Sequence, residues 1–201
     1  MQIFKFENLE EIIDLIKAGG VVIFPTETSY GLGCVATNQK SVDKIFAIKG
    51  RVGDKPLLVV VPDVAMAKKY LEWNATLDNL AKKYWPGALT IVGKCRKKIF
   101  GKNLVSGAVG KDNTVAVRVT AHPFLKLITE KLGVPLVATS ANLADAGEIY
   151  DSAEAIKIFA NLENAPDAIV DAGVLPKNLP STIVSVVDDN IKVLRQGSVR
   201  L

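Results

Sequence analysis

Residues 21–33 read Val-Val-Ile-Phe-Pro-Thr-Glu-Thr-Ser-Tyr-Gly-Leu-Gly, and this stretch is the most informative in the chain. Its first four residues are apolar and predict a buried strand. Three hydroxyl residues, a carboxylate and a phenol then fall within Thr26–Tyr30. A plain polar turn is the alternative interpretation, but a packed core needs none of these groups. The stretch therefore predicts the floor of a small-molecule site at a strand end.

Length and composition indicate one globular α/β domain. The chain has 201 residues, of which 49% are apolar and 23% are charged, and this suffices for a sizeable core. The net charge of +4 suits anionic ligands such as nucleotides and also permits RNA, so it does not decide between them.

Cysteine and histidine are scarce. Two cysteines and one histidine exclude a four-cysteine zinc site and a histidine-rich metal site. We expect Cys34 and Cys95 to be small buried residues, and His122 to occupy the N-terminal end of a helix. The N-terminus lacks a signal-peptide pattern, and the longest apolar run, Leu57–Val61, is too short to span a membrane. A cytoplasmic protein without membrane contact is therefore predicted.

Helix and strand signals alternate along the chain, and this alternation favours an α/β fold. Helices are predicted from Asn8 to Gly19, from Ser41 to Gly50, over 63–72 and 76–84, and over Phe124–Leu132 and Ala153–Phe159. Strands are predicted at 21–24, Leu57–Val61, Leu89–Val92, Thr114–Val119, Pro135–Thr139, Ala168–Val170, Thr182–Val187 and Ile191–Leu194. The last two strands form a predicted hairpin, which makes the sheet mixed rather than purely parallel.

Three cations, Lys49, Arg51 and Lys55, lie at the end of a predicted helix. They can clamp a triphosphate, since arginine offers a planar fork and lysine a mobile charge. They can equally be cations that suit a helix C-terminus electrostatically. The glycine-rich pattern of a P-loop is missing, so a phosphate site here would be of another kind.

Further polar groups follow predicted strands. Arg118 ends an apolar strand, where a cation needs a partner such as a carboxylate or a phosphate. Small and amide side chains at Ala138–Asn142 suit a base, ribose or phosphate, although serine and asparagine also favour turns. The hairpin is expected to bring Ser181 near Arg195. The basic stretch 94–102 is interpreted as a solvated edge or, alternatively, an RNA contact.

These residues form motifs in a fixed order, and through this order the sequence resembles the YrdC/TsaC family, the threonylcarbamoyl-AMP synthases. The matching motifs span about residues 8–198. They are Pro25-Thr26-Glu27-Thr28-x-Tyr30-Gly31-Leu32, Lys49-x-Arg51, Lys55-Pro56-Leu57, Trp85-Pro86-Gly87-x-Leu89-Thr90, Val117-Arg118-Val119, Ser140-Ala141-Asn142, Ser181-Thr182-Ile183-Val184 and Arg195-x-Gly197.

The resemblance implies a fold and a reaction. The fold would be a YrdC-type twisted mixed β-sheet surrounded by helices, a single domain over residues 1–201 with a concave basic face and no additional C-terminal domain. The reaction would join L-threonine, bicarbonate or CO2 and ATP into threonylcarbamoyl-AMP and pyrophosphate. Downstream transferase proteins would then pass the threonylcarbamoyl group to adenosine 37 of tRNA.

The resemblance also implies roles for individual residues. ATP would be bound by Lys49, Arg51, Lys55, Thr114, Ser140, Asn142 and Arg195, with Mg2+ on its phosphates. Threonine would be bound by Thr28, Tyr30, Arg118, Ala138 and Ser181, and Thr26 and Thr139 would complete the pocket.

The chain departs from the family pattern at two informative places. Leu143-Ala144-Asp145 follows Asn142 where x-Ser-Gly is usual, and Thr120 stands where proline is usual. An alternative that the resemblance leaves open is a YciO-like paralogue that binds double-stranded RNA or nucleotides without this activity.

Overall fold

A computed structural model describes residues 1–50, 56–96, 103–143 and 146–201. Arg51 and Lys55 of the predicted cation cluster lie outside the described residues. The same holds for residues 97–102 of the basic stretch, and for Ala144 and Asp145 after the predicted Ser-Ala-Asn loop.

The described residues form ten strands in one mixed sheet, with six α-helices around it. The strands are β1 (Gln2–Phe4), β2 (Val22–Pro25), β3 (Tyr30–Val35), β4 (Val59–Val61), β5 (Leu89–Lys94), β6 (Thr114–Val119), β7 (Leu136–Ser140), β8 (Ala168–Val170), β9 (Thr182–Val187) and β10 (Asn190–Arg195). The helices are α1 (Leu9–Lys17), α2 (Gln39–Lys49), α3 (Val64–Tyr70), α4 (Ala75–Tyr84), α5 (Pro123–Leu132) and α6 (Ser152–Phe159). The order of the strands in the sheet is β1-β8-β2-β3-β7-β4-β6-β5-β9-β10. The predicted mixed sheet is confirmed.

The sequence analysis predicted eight strands and missed two, β1 and β3. β3 continues the polar stretch that opens the site, and it pairs antiparallel with β2 so that Phe24 lies opposite Gly31. Its two glycines suggest a turn, but tertiary contacts require one of them. A Cβ atom at Gly33 would lie 2.1 Å from the carbonyl oxygen of Val137 on β7, so only glycine fits there. β1 is short and partly exposed, which leaves little apolar signal.

Helix starts differ from the prediction by a few residues. Asn38, not Ser41, caps α2, because its side chain accepts a hydrogen bond from the Ser41 amide. Asn74 caps α4 in the same way, since its side chain accepts from the Leu77 amide. Asp151 caps α6, since its side chain accepts from the Ala153 amide. Asn8 precedes α1, but its side-chain oxygen accepts from the Lys5 amide instead of capping the helix.

The two faces of the sheet are covered differently. Strand register places Val60, Arg118, Ala116, Val92 and Ile183 on one face, because directly paired residues share a face. Helices α1 and α5 cover the part of this face over β2, β7 and β4 with buried apolar side chains. We call this part the covered half; it contains Phe24, Val60 and Leu136. The rest, the open half, carries Thr90, Val92, Ala116, Arg118 and Ile183 and faces a cleft.

In the described part of the chain, no helix combines the length and apolar character needed to cross a bilayer.

Candidate active site

The cleft over the open half has a volume of about 640 Å³, which lies in the usual range for small-molecule sites. Its floor comes from β6, β5 and β9. One wall is formed by the β2–β3 turn with the end of β7, and the other by β10 and the segment before β9. The predicted site residues that line it are Thr26, Thr28, Tyr30, Arg118, Ala138, Thr139, Ser140, Ser181 and Arg195. Residues far apart in sequence therefore meet at one surface.

The β2–β3 turn is organised around the hydroxyl of Thr26. This hydroxyl donates to the Ser29 carbonyl at 2.7 Å and accepts from the Thr28 amide at 3.1 Å. It also lies 3.0 Å from the Thr28 hydroxyl. Because the Thr26 proton is directed at Ser29, Thr28 is the donor in this contact. The turn is thus an internally hydrogen-bonded wall of the cleft, where the sequence predicted its floor.

Arg118 is the most deeply placed charge of the cleft, since only 5% of its side chain is exposed. Its Nε lies 3.4 Å from Oε1 of Glu27, which is itself 15% exposed. The other carboxylate oxygen of Glu27 accepts from the Thr120 hydroxyl at 3.0 Å. The expected partner of a buried arginine is therefore present, and it is a carboxylate of the opening stretch.

Arg195 and Ser181 are in contact, as predicted. Nε and a terminal nitrogen of Arg195 donate to the Ser181 carbonyl at 3.2 and 2.9 Å. The Ser181 hydroxyl lies 2.9 Å from that of Thr90 on the cleft floor. Glycine is required at 197, where a Cβ atom would lie 2.1 Å from the Pro180 carbonyl oxygen. This close crossing fixes the second wall of the cleft.

The pKa of the Arg195 guanidinium is lowered, first by burial against this wall and then by the positive charge of Arg118. The carboxylate of Glu148, another lining residue, acts in the opposite direction. The Tyr150 hydroxyl donates to Glu148 at 2.7 Å. Burial and this carboxylate raise the pKa of Tyr150 to about 12, so the phenol stays protonated. Glu148 is thus held at the cleft by a neutral donor.

Lys49 and Asn142 lie beneath the cleft and do not line it. Only 1% of the surface of Lys49 is exposed. Its ammonium group donates to the carbonyls of Ser140 and Asn142 at 2.6 and 2.7 Å. It also donates to the Asn142 side-chain oxygen at 2.8 Å, which the Ser140 hydroxyl contacts as well. Lys49 therefore supports the 140–142 loop, and a direct contact with phosphate would require these bonds to break.

Two predicted residues do not direct their hydroxyl groups into the cleft, although one of them, Tyr30, is among the lining residues. The Tyr30 ring belongs to the core on the opposite face of the sheet, and its hydroxyl donates to the Gly173 carbonyl at 2.9 Å. Thr114 shares a face with Ala116 and Arg118 but lies beyond the lining residues, where its hydroxyl donates to Asp112 at 2.7 Å. Their predicted contacts with threonine and ATP stay predictions.

The sequence analysis missed Thr90, Ala116 and Glu148 as site residues. The alternation of Leu89–Val92 and Thr114–Val119 carries a signal for the first two, because both fall on the face of Arg118. No comparable pattern marks Glu148, because residues 146–150 lie in no helix or strand whose periodicity could be used.

The remaining titratable predictions agree with the structure. Both cysteines are buried, and burial raises the pKa of the Cys34 thiol to about 12. His122 lies at the N-cap of α5, as predicted. Burial lowers the pKa of its imidazole, an effect that the nearby Glu27 carboxylate opposes.

The fold and the cleft define an α/β protein whose mixed sheet carries a cleft of small-molecule size lined by two arginines. Residues 14–197 match the model of the Sua5/YciO/YrdC family, which carries the description "Telomere recombination". The chain therefore belongs to the Sua5/YciO/YrdC family, as the sequence motifs indicated.

Three individual proteins of known name are similar to this chain. A threonylcarbamoyl-AMP synthase of Bacillus subtilis is 33% identical over 186 residues, which make up 92% of this chain and 52% of that protein. The chain thus spans about half the length of this curated relative. The crystal structure of P. abyssi Sua5 complexed with L-threonine has a TM-score of 0.88 at 27% identity, over 98% of this chain and 58% of that one. The crystal structure of E. coli YciO has a TM-score of 0.82 at 25% identity, over 98% and 95% of the two chains.

Proposed function

We propose that this protein is a threonylcarbamoyl-AMP synthase, a nucleotidyltransferase that consumes L-threonine, bicarbonate or CO2, and ATP. The observation that carries the proposal is the single cleft in which nine residues predicted for this activity meet. The relative that bears this enzyme name and the Sua5 structure that contains threonine support the same activity.

The proposed chemistry needs few reacting groups from the protein. The neutral amine of threonine attacks CO2 and loses a proton, which gives a carbamate. A carbamate oxygen then attacks the α-phosphorus of ATP, and the bond to the β-phosphate breaks as pyrophosphate leaves with its electron pair. Catalysis of this kind depends on orientation and on the stabilisation of negative charge.

The cleft offers a separate anion partner for each substrate. Arg118, near the floor, would bind the carboxylate of threonine, with Thr28, Ser181 and the Ala138 backbone around it. Arg195, near the rim, would bind ATP together with Ser140.

The contributions of Lys49, Asn142, Thr114, Arg51 and Lys55 to ATP binding remain part of the proposal. Lys49 and Asn142 would act through the loop that they hold together, since neither lines the cleft.

Mg2+ would arrive with the triphosphate, whose oxygen atoms are the ligands that it prefers. In the described ranges, no group of three or more histidine, cysteine or acidic residues is placed to hold a metal ion.

The wider cellular role also belongs to the proposal. Threonylcarbamoyl-AMP would be consumed by downstream transferase proteins that modify adenosine 37 of tRNA. A single YrdC-like domain over residues 1–201 and a cytoplasmic location stay predictions.

The direct test is threonine-dependent release of pyrophosphate. The protein is incubated with ATP, bicarbonate and Mg2+, with and without L-threonine, and pyrophosphate and the adenylate are measured. We expect both products only when threonine is present. Absence of threonine-dependent pyrophosphate with every divalent metal tried would overturn the synthase assignment. Binding of double-stranded RNA by the same inactive preparation would instead favour the YciO-like alternative.

A pair of arginine variants ties the activity to the cleft. Arg118→Ala removes up to two charge-assisted hydrogen bonds to the threonine carboxylate, so we expect kcat/KM for threonine to fall about 100-fold. Arg200→Ala removes an equal charge from an exposed position outside the cleft, and we expect no change. Equal activities of the two variants would contradict the placement of threonine at Arg118.

A further inference from the structure

Glu27 lies against the cleft arginine but has no part in the chemistry proposed above. Its Oε1 approaches Arg118 Nε at 3.4 Å, which is longer than a strong charge-assisted hydrogen bond. Over the described residues, both of these buried atoms lack a hydrogen-bond partner. The pair is thus a close contact between opposite charges, with the Nε edge of the guanidinium turned toward Glu27.

The orientation of the Glu27 carboxylate is fixed by Thr120. The Thr120 hydroxyl accepts from the His122 amide at 3.1 Å, and an amide can only donate. Its own proton is therefore directed at Oε2 of Glu27, 3.0 Å away. The Glu27 backbone is held as well, because the Asn178 side chain donates to its carbonyl at 3.0 Å.

We propose that Glu27 and Thr120 are positioning residues, which hold Arg118 by its Nε edge so that its terminal nitrogens bind the substrate carboxylate side by side. This inference rests on the proposed function, which supplies the carboxylate. It assigns a role to Thr120, which stands where proline is usual in the family pattern. Proline has no hydroxyl group and could not donate to Glu27.

Positioning has a physical advantage at this site. An almost fully buried guanidinium without a partner is unfavourable, and Glu27 provides the compensating charge before substrate arrives. A bidentate contact also needs the planar fork in one orientation, and a fork that is already oriented loses less entropy on binding. The negative charge of Glu27 acts in the opposite direction, since it weakens the attraction of Arg118 for a second carboxylate. The two effects predict opposite results when Glu27 loses its charge.

The experiment compares L-threonine with L-threonine amide, which lacks the carboxylate, by calorimetric titration of the full chain. For Glu27→Gln we expect L-threonine to bind about tenfold more weakly, and for Thr120→Val about threefold more weakly. Thr120→Ser keeps the hydroxyl and should restore binding to within about twofold of the unchanged protein. The amide should bind all four proteins alike, because its binding does not use the carboxylate contact.

Two outcomes would overturn the positioning role. Equal losses for L-threonine and its amide would show that Glu27 only supports the local fold. Tighter binding of L-threonine by Glu27→Gln would show that charge repulsion outweighs orientation. Thr120→Val protects the test against misfolding of the Glu27 variant, since it removes one hydroxyl and leaves both charges in place.

A second readout separates this inference from the proposed function. The side-chain Nε–H signal of Arg118, assigned in 15N spectra by comparison with Arg118→Lys, should exchange slowly with water in the unchanged protein. We expect faster exchange in Glu27→Gln and in Thr120→Val, and exchange as slow as in the unchanged protein in Thr120→Ser. If the signal behaves in this way but the unchanged protein binds no threonine and releases no pyrophosphate, the ligand and the proposed function are wrong while the pairing is right. A signal that is the same in all variants overturns the pairing itself.

Discussion

The covered and open halves belong to the same face of one sheet, yet their side chains differ in kind. Over the covered half, Phe24, Val60 and Leu136 meet buried residues of α1 and α5. Over the open half, Thr90, Ala116 and Arg118 occupy the same face, and they line the cleft instead of packing beneath any of the helices in the described ranges. The strands are continuous in register across both halves, so the backbone does not create the difference.

What creates the difference is the choice of side chain at alternate positions. Large apolar residues on the covered half gain stability when helices bury them. The small Ala116 and the polar Thr90 offer a helix little apolar surface, and Arg118 would be unfavourable beneath one without a partner. The sheet thus uses one half for stability and leaves the other for a ligand.

Removal of an isoleucine from each half tests this division most strongly. Ile128→Ala deletes a fully buried side chain of α5 above the covered half, and we expect the free energy of unfolding to fall by about 3 kcal/mol. Ile183→Ala removes a half-exposed side chain of the cleft floor, so we expect a loss of about 1 kcal/mol or less. Urea unfolding of both variants measures the difference. Equal losses would contradict the division.

Addition of two methyl groups to an alanine on each half should reverse the pattern. Ala168→Val adds volume to the buried cluster beside Val22, with which Ala168 pairs, and we expect overpacking to lower the free energy of unfolding by about 2 kcal/mol. Ala116→Val points into open cleft space, so stability should change by less than about 0.5 kcal/mol while threonine-dependent activity falls. Thermal unfolding and pyrophosphate release measure the two effects. Full activity of the Ala116 variant would place the substrate elsewhere.

The halves also differ in how far sequence reasoning could predict them. Continuous apolar runs predicted the central strands, and the alternation within 114–119 was sufficient to place Ala116 on the face of Arg118, although this signal was not used. The pattern could not show which part of the face a helix covers, since that depends on where α1 and α5 pack after the chain has folded. β3 was missed for a related reason, because Gly33 suggests a turn until its close approach to β7 is known.

Individual site residues show the same limit. Ser181 and Arg195 could be brought together from a predicted hairpin alone, and the structure confirms their contact. Lys49 has the residue type and motif of a phosphate ligand, but its ammonium is buried under the 140–142 loop. Tyr30 likewise belongs to the cleft by sequence position, while its hydroxyl is bonded on the opposite side of the sheet. Residue type predicts chemistry, but only tertiary structure shows what each group faces.

Replacement of the rim arginine should have a smaller effect than repacking the covered half. Arg195→Lys keeps the charge but loses the fork that grips the Ser181 carbonyl, so we expect kcat/KM for ATP to fall about tenfold. Lys192→Arg is the matched control, because Lys192 shares this strand and face but does not line the cleft. Steady-state kinetics at saturating threonine measures both. A normal ATP response of Arg195→Lys would exclude its fork from nucleotide binding.

The smallest effect on stability is expected at the edge of the covered half, where an ion pair lies beside the buried apolar side chains. Asp171 follows β8, and the Lys5 ammonium binds its carboxylate at 2.6 Å. The Lys5 contact, with hydrogen bonds from Ser152 and the Gly173 amide, lowers the pKa of Asp171 to about 2. Because the folded pKa lies below its ordinary value near 4, the carboxylate stabilises the fold above about pH 4. That contribution is lost as pH falls toward 2.

Asp171→Asn should therefore lower the free energy of unfolding by about 1 kcal/mol at pH 7, a value kept small because Lys5 is more than half exposed and screened by solvent. The difference from the unchanged protein should shrink as pH falls from about 4 toward 2, since both proteins then lack the negative charge. Denaturant unfolding at several pH values measures this trend. A difference that does not vary with pH would show that the hydrogen bonds at position 171 matter and the charge does not.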